Sequence, residues 1–219
     1  MSNLNDIALF YGTDKSSAWH NYCAKYEKYL PFNPESKLKI LEIGVLKGES
    51  LKTWKDYYPH AFIVGVDIDP SCIKYAEEQI AIEIGSQTDG KFLAGVIKKH
   101  GPFDLIIDDG SHINSDVIFS FKYLFKSLIP QGIYVVEDCG TSYWKKYGGA
   151  LKAQNSTIEY FKNRIDDVNF RGLLNRLSTR KYSRREDQLS VISKEVQPDC
   201  RVDIGSINFL NGLIIITKR

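Results

Sequence analysis

The sequence predicts an α/β fold: a mostly parallel, doubly wound sheet that closes with an antiparallel C-terminal hairpin. Three observations carry this expectation. Short apolar runs alternate with stretches of helical period between residues 38 and 137. Two of those runs, DLIIDD and IYVVED, end in acidic pairs, as strands do where a parallel sheet opens at its carboxyl edge. Finally, residues 200–217 hold two apolar stretches joined by Asn211-Gly212, the strongest short hairpin signal.

The elements follow in order. LKILEI (38–43) reads as a first strand ending at Gly44. A helical pattern runs through Leu51, Trp54 and Tyr57 and stops near Pro59. AFIVGV (61–66) is a second strand, ending at Asp67. Pro70 suits the start of a helix, expected to reach about Gln79. IEIGS (82–86) is a third strand, followed by a helix near 90–99. Residues 104–107 form a fourth strand. Residues 115–128 place Val117, Ile118, Phe121, Leu124, Phe125 and Leu128 on one helical face. Gly132 leads into a fifth strand, IYVVE. Parallel strands joined this way imply right-handed crossovers. The chain is expected to be a single domain over 1–219, with residues 1–30 and about 141–190 as additions over the active edge.

Composition sets bounds. The 219 residues suffice for one substantial core, and a formal charge of +2 gives no case for nucleic acid or a membrane surface. There is no apolar run long enough to span a bilayer. MSNLNDIALFYGTDK has no basic segment followed by an apolar core, so no secretory signal is expected. The four scattered cysteines, Cys23, Cys72, Cys139 and Cys200, suit free thiols in a cytoplasmic protein.

The chemistry concentrates at two strand ends. Asp108, Asp109 and His112 follow the fourth strand, and Glu137 and Asp138 follow the fifth. Neighbouring parallel strands would bring these ends into one cleft. Carboxylates so close repel unless a cation lies between them, and oxygen ligands without thiols suit Mg²⁺ or Mn²⁺. His112 is placed to act as a base. Taken singly, the same residues also suit a turn before Gly110 and a cap after the fifth strand.

A second site lies one strand away. LEIGVLKGES (41–50) is a turn with Gly44 and Gly48 in G-x-x-x-G spacing, which lacks the pyrophosphate fingerprint. Glu42 would repel a phosphate but receive a cationic ligand. Asp67 ends the second strand, where an acidic residue takes ribose hydroxyls. Together they suit S-adenosylmethionine, a nucleoside with a sulfonium and no phosphate. A tight turn with Asp67 as a helix cap is the plainer alternative.

LEIGVLKGESLKTW, VGVDIDP, IEIGSQTD, DLIIDDGSH, GIYVVEDCGTSYW and SINFLNGLIIITKR resemble the class I methyltransferases that O-methylate antibiotic sugars, of the mycinamicin and macrocin type. A cephalosporin hydroxylase-type group shares much of this pattern. GTDK and HNY (12–15, 20–22) resemble an N-terminal signature of the same enzymes. The resemblance covers roughly 10–145 and 200–219, and implies a Rossmann-like class I methyltransferase fold. It implies that Asp109, Glu137 and Asp138 ligate Mg²⁺ (or Mn²⁺) and that His112 is the general base. It places Glu42, Gly44, Gly48, Ser50, Asp67, Gln87, Asp89 and Asp108 around the cofactor, and Tyr143 and Trp144 near the acceptor. The implied activity is methylation of a sugar hydroxyl, on a natural-product glycoside or a surface polysaccharide, by a homo-oligomer. Catechol-type methylation uses the same metal and diol logic. The basic stretch 171–185 could suit an anionic acceptor or RNA, but a solvated face paired with Asp166, Asp167, Glu186 and Asp187 is the favoured reading.

Overall fold

A computed structural model describes residues 3–169 and 203–219. Seven strands form one sheet in the order β3-β2-β1-β4-β5-β7-β6. They are β1 (Lys39–Ile43), β2 (Phe62–Asp67), β3 (Ile80–Ile84), β4 (Phe103–Asp108), β5 (Leu128–Val136), β6 (Ile204–Phe209) and β7 (Ile214–Lys218). The first five run parallel, and β7 lies antiparallel to both β5 and β6. The hairpin therefore forms at Asn211-Gly212, with Gly212 at φ 82°. The expected fold is the one observed.

Two apolar layers cover the sheet. On one face Ile40, Ile63, Leu105, Ile107 and Val135 pack under α1 (Leu4–Tyr11), α2 (Cys23–Tyr29) and α3 (Glu49–Tyr57). On the other, Leu41, Val64, Ile106 and Tyr134 pack under α4 (Gly90–His100), α5 (Asn114–Leu124) and α6 (Thr157–Lys162). Strand β4 is buried along nearly its whole length, as a central parallel strand must be.

The structure shifts several boundaries, and the third strand, expected at 82–86, spans Ile80–Ile84. After Pro70 the chain makes only a 3-10 turn, Pro70–Tyr75, and no helix reaches Gln79. Ala76 is extended, Glu77 and Ile80 exchange backbone hydrogen bonds, and Gln79 takes φ 68°, so the chain reverses directly into β3. Leu124, Phe125 and Leu128 keep a helical spacing, yet α5 stops at Leu124 and a 3-10 turn, Phe125–Ser127, follows. Pro130 bars Ile129 from the helical region, and Leu128 already pairs with Phe103. Strand β5 thus begins at Leu128, five residues before the Ile133 that the sequence suggests.

The N-terminal residues pack against the sheet rather than trailing away. Asn3 caps α1 through its side chain, and Gly12 at φ 79° ends it. Leu4 N–H donates to Glu27 Oε1 at 2.9 Å, which ties α1 to α2. The basic stretch 171–185 and Cys200 lie outside the described residues. Cys23, Cys72 and Cys139 are buried free thiols.

Candidate active site

The strand order reverses between β1 and β4, so the turns after these strands diverge to opposite faces and leave a crevice. A cleft of about 790 Å³ opens there, a volume suited to a nucleoside-sized ligand with space beside it. Gly44 sits at its base with φ 95°, and a side chain there would collide with the Asp109 carbonyl oxygen. Asp109 N–H in turn donates to Ile43 O at 3.0 Å. The two turns lie in direct contact only because residue 44 has no Cβ.

At the β2 end, Asp67 accepts from the backbone N–H groups of Val45 (2.8 Å), Leu46 (3.1 Å) and Asp69 (2.9 Å). Burial would raise its pKa, but these donors outweigh it and hold the carboxyl below its usual range. Asp67 therefore stays ionised and fixes the turn that follows β1. Gln87 braces the opposite wall. Its amide oxygen accepts from Ser111 N–H at 2.8 Å, and its amide nitrogen donates to Ser120 and Asp108.

At the β4 and β5 ends, one ligand atom each from Asp109, His112 and Asp138 lie within 4.8 Å of one another. His112 Nε2 stands 4.0 Å from Asp109 Oδ1 and 3.8 Å from Asp138 Oδ2. His112 and Asp138 both take positive φ, 56° and 51°. Such strained backbone is uncommon outside glycine and gathers at functional sites. The Asp109 and Asp138 carboxylates, both partly exposed beside the imidazole, offer oxygen donors of the kind that suit Mg²⁺ or Mn²⁺.

The sequence-predicted residues divide into two groups. Gly44, Ser50, Asp67, Gln87, Asp109, His112 and Asp138 line the cleft. Glu42, Gly48, Asp89, Asp108 and Glu137 are not among the lining residues. Gly48 begins α3 at φ 72°, and Asp89 caps α4 by accepting from Lys91 and Phe92 N–H. Asp108 is buried and accepts from Ser120 (2.7 Å) and Tyr134 (3.2 Å), and burial pushes its carboxyl up to about 6. Tyr143 and Trp144 are exposed. Trp144 packs on Tyr147, whose ring meets His112 edge-on.

Glu137 faces inward. Tyr26 donates its hydroxyl to Glu137 Oε1, and Lys15 Nζ lies 3.0 Å from Oε2. Lys15 is the residue that sequence reasoning missed. Only 3 % exposed, it also reaches Asp109 Oδ2 at 2.5 Å and Glu42 Oε1 at 3.4 Å. Burial favours the neutral amine, but the Asp109, Glu137 and Glu42 charges outweigh it and keep Lys15 protonated. Glu42 takes a hydrogen bond from Trp54 Nε1 at 2.8 Å, yet its Oε1 accepts none among the described residues. Two buried carboxylates and the partly exposed Asp109 thus share one ammonium, and burial raises the pKa of Glu42 and Glu137. Lys15 lies within GTDK, a motif visible in the sequence, but nothing local told that its side chain turns inward.

No protein-family model matches the chain. Curated relatives do. L-olivosyl-oleandolide 3-O-methyltransferase of Streptomyces antibioticus is 38 % identical over 179 residues, 76 % of this chain and 46 % of the relative. Mycinamicin VI 2''-O-methyltransferase of Micromonospora griseorubida is 35 % identical over 76 % of this chain and 44 % of its own length. 8-Demethyl-8-alpha-L-rhamnosyl tetracenomycin-C 2'-O-methyltransferase of Streptomyces olivaceus is 33 % identical over 99 % of this chain and 54 % of its own. The chain thus spans about half the length of the curated relatives it matches. Among solved structures, the MycE methyltransferase of the mycinamycin biosynthetic pathway, in complex with Mg, SAH and mycinamycin VI, superimposes with a TM-score of 0.80 at 27 % identity. That match covers 100 % of this chain and 55 % of MycE. The chain has the Rossmann-like class I methyltransferase fold and is a relative, over about half their length, of the sugar O-methyltransferases of antibiotic biosynthesis.

Proposed function

We propose that this chain carries the catalytic centre of an S-adenosylmethionine- and Mg²⁺-dependent O-methyltransferase acting on a sugar hydroxyl. The observation that carries the reading is one cleft with two ends. Asp67 and the Gly44 turn form one end, and Asp109, His112 and Asp138 form the other. The relatives supply the substrate class, since each is named for a glycosylated natural product or its sugar.

Asp67 would accept the ribose hydroxyls, and the 44–50 turn with Gln87 would flank the rest of the cofactor. S-adenosylmethionine supplies an activated methyl group, so the protein's tasks are orientation and removal of one proton. Asp109 and Asp138 would hold the cation, which when bound acidifies and orients vicinal hydroxyls. Glu137, the third ligand on the family pattern, would need to exchange Lys15 or Tyr26 to join them. His112 would take the acceptor's proton, the general-base role an imidazole most often fills. Tyr147, edge-on to His112, and Trp144, packed on Tyr147, would offer an aromatic surface that suits the apolar face of a sugar, and exposed Tyr143 would add to it. In this reading the chain is one methyltransferase domain, working in a cytoplasmic homo-oligomer.

The test is methyl transfer from labelled S-adenosylmethionine with Mg²⁺, offered rhamnosides and other glycosides with vicinal hydroxyls, and catechols in parallel. Label on the sugar is the expected result. Label on catechols alone would replace the sugar with an aromatic diol.

A further inference from the structure

Each carboxylate of the cation cluster has one oxygen facing His112 and the other held from behind, and both holders come from the N-terminal segment. Lys15 Nζ takes Asp109 Oδ2 at 2.5 Å, leaving Oδ1 toward His112 Nε2. Tyr22 donates its hydroxyl to Asp138 Oδ1 at 2.7 Å, leaving Oδ2 toward the same nitrogen. One helical turn on, Tyr26 takes Glu137. Tyr22 and Tyr26 are spaced i, i+4 at the start of α2, so their hydroxyls project from one face. The fit extends to the hairpin. A Cβ at Gly212 would strike the Tyr22 hydroxyl, so the glycine both makes the turn and admits the ring. Tyr22 is only 4 % exposed, stacks on His20 and lies under the Lys25 ammonium.

We infer that residues 13–26 preset the cation centre: Tyr22 positions Asp138, and Lys15 positions Asp109 while serving as the fixed counter-ion of Glu42 and Glu137. The inference rests on the reading of Asp109 and Asp138 as cation ligands. A free carboxylate turns about its terminal torsion, and binding a cation must first stop that motion. A group already bonded to one oxygen has done so. Tyr22 is neutral, so removing its hydroxyl changes order and not charge. Lys15 is different. Without its charge, Glu42, Glu137 and Asp109 face one gap, and a divalent cation becomes their main counter-ion.

The two roles predict effects that general loosening of the fold would not produce together. Tyr22→Phe is expected to weaken Mn²⁺ binding, followed by electron paramagnetic resonance, by about 10–100-fold. Its affinity for S-adenosylhomocysteine, measured by calorimetry with EDTA, stays within about twofold because that end of the cleft is separate. Lys15→Met is expected to melt lower than wild type without metal and to gain more in Tm from Mn²⁺ than wild type gains. Wild-type Mn²⁺ affinity in Tyr22→Phe overturns the role of Tyr22. A Mn²⁺ gain in Lys15→Met no larger than that of wild type overturns the role of Lys15. A wild-type protein that binds S-adenosylhomocysteine but no Mn²⁺ removes the inference and leaves the cofactor site. Wild type that binds both, with variants like itself, removes only the inference.

Discussion

Replacing His112 by alanine is expected to lower turnover by about 10²–10⁴-fold, the usual cost of a missing general base. Its Nε2 lies 3.8 Å from one cluster carboxylate and 4.0 Å from the other, and opens into the same cleft. Cofactor binding should survive, because Asp67 and the turn it fixes do not touch His112. Mn²⁺ binding should survive as well. Steady-state rates and Mn²⁺ titration on the same variant separate the two roles open to an imidazole here. A rate loss with intact Mn²⁺ binding assigns His112 to proton transfer. Loss of Mn²⁺ binding assigns it to the cation, and unchanged turnover removes it from both.

Gly44→Ala is the second large effect. The residue combines φ 95° with contact against the Asp109 carbonyl. The left-handed backbone alone costs an alanine about 1–3 kcal/mol. The collision adds to this, because the β1 and β4 turns can separate only by breaking the Asp109 N–H bond to Ile43. Denaturant unfolding should show the stability loss, and calorimetry should show weaker binding of S-adenosylmethionine and of Mg²⁺ together. Normal affinity for both would mean that the crevice tolerates a wider switch point than the contact implies.

Most of the frame could be read from the chain, because strand periodicity and turn chemistry are local. The five parallel strands and the Asn211-Gly212 hairpin each announce themselves within a few residues. Boundaries failed where a distant pairing overrode local pattern, as when Leu128 joined Phe103 instead of extending α5. The site followed the same logic. Asp109, His112 and Asp138 sit at strand ends, and the sheet alone brings them together. The inward turn of Glu137 was not legible, because it depends on Lys15 and Tyr26, more than a hundred residues away. Lys15 itself reads as an ordinary surface lysine until the N-terminal segment packs across the sheet. Glu42 followed suit. It was expected to meet the cofactor's positive charge, and it meets the protein's own ammonium instead.

The central claim is that one cleft holds a methyl donor and a divalent cation at separate places. Calorimetry of S-adenosylmethionine binding, with Mg²⁺ and with EDTA, on wild type and Asp109→Asn, tests it most directly. The account predicts cofactor binding in all four combinations, with Mg²⁺ binding present in wild type and lost in Asp109→Asn. Absence of cofactor binding in every combination would contradict it and leave a cation-binding α/β protein.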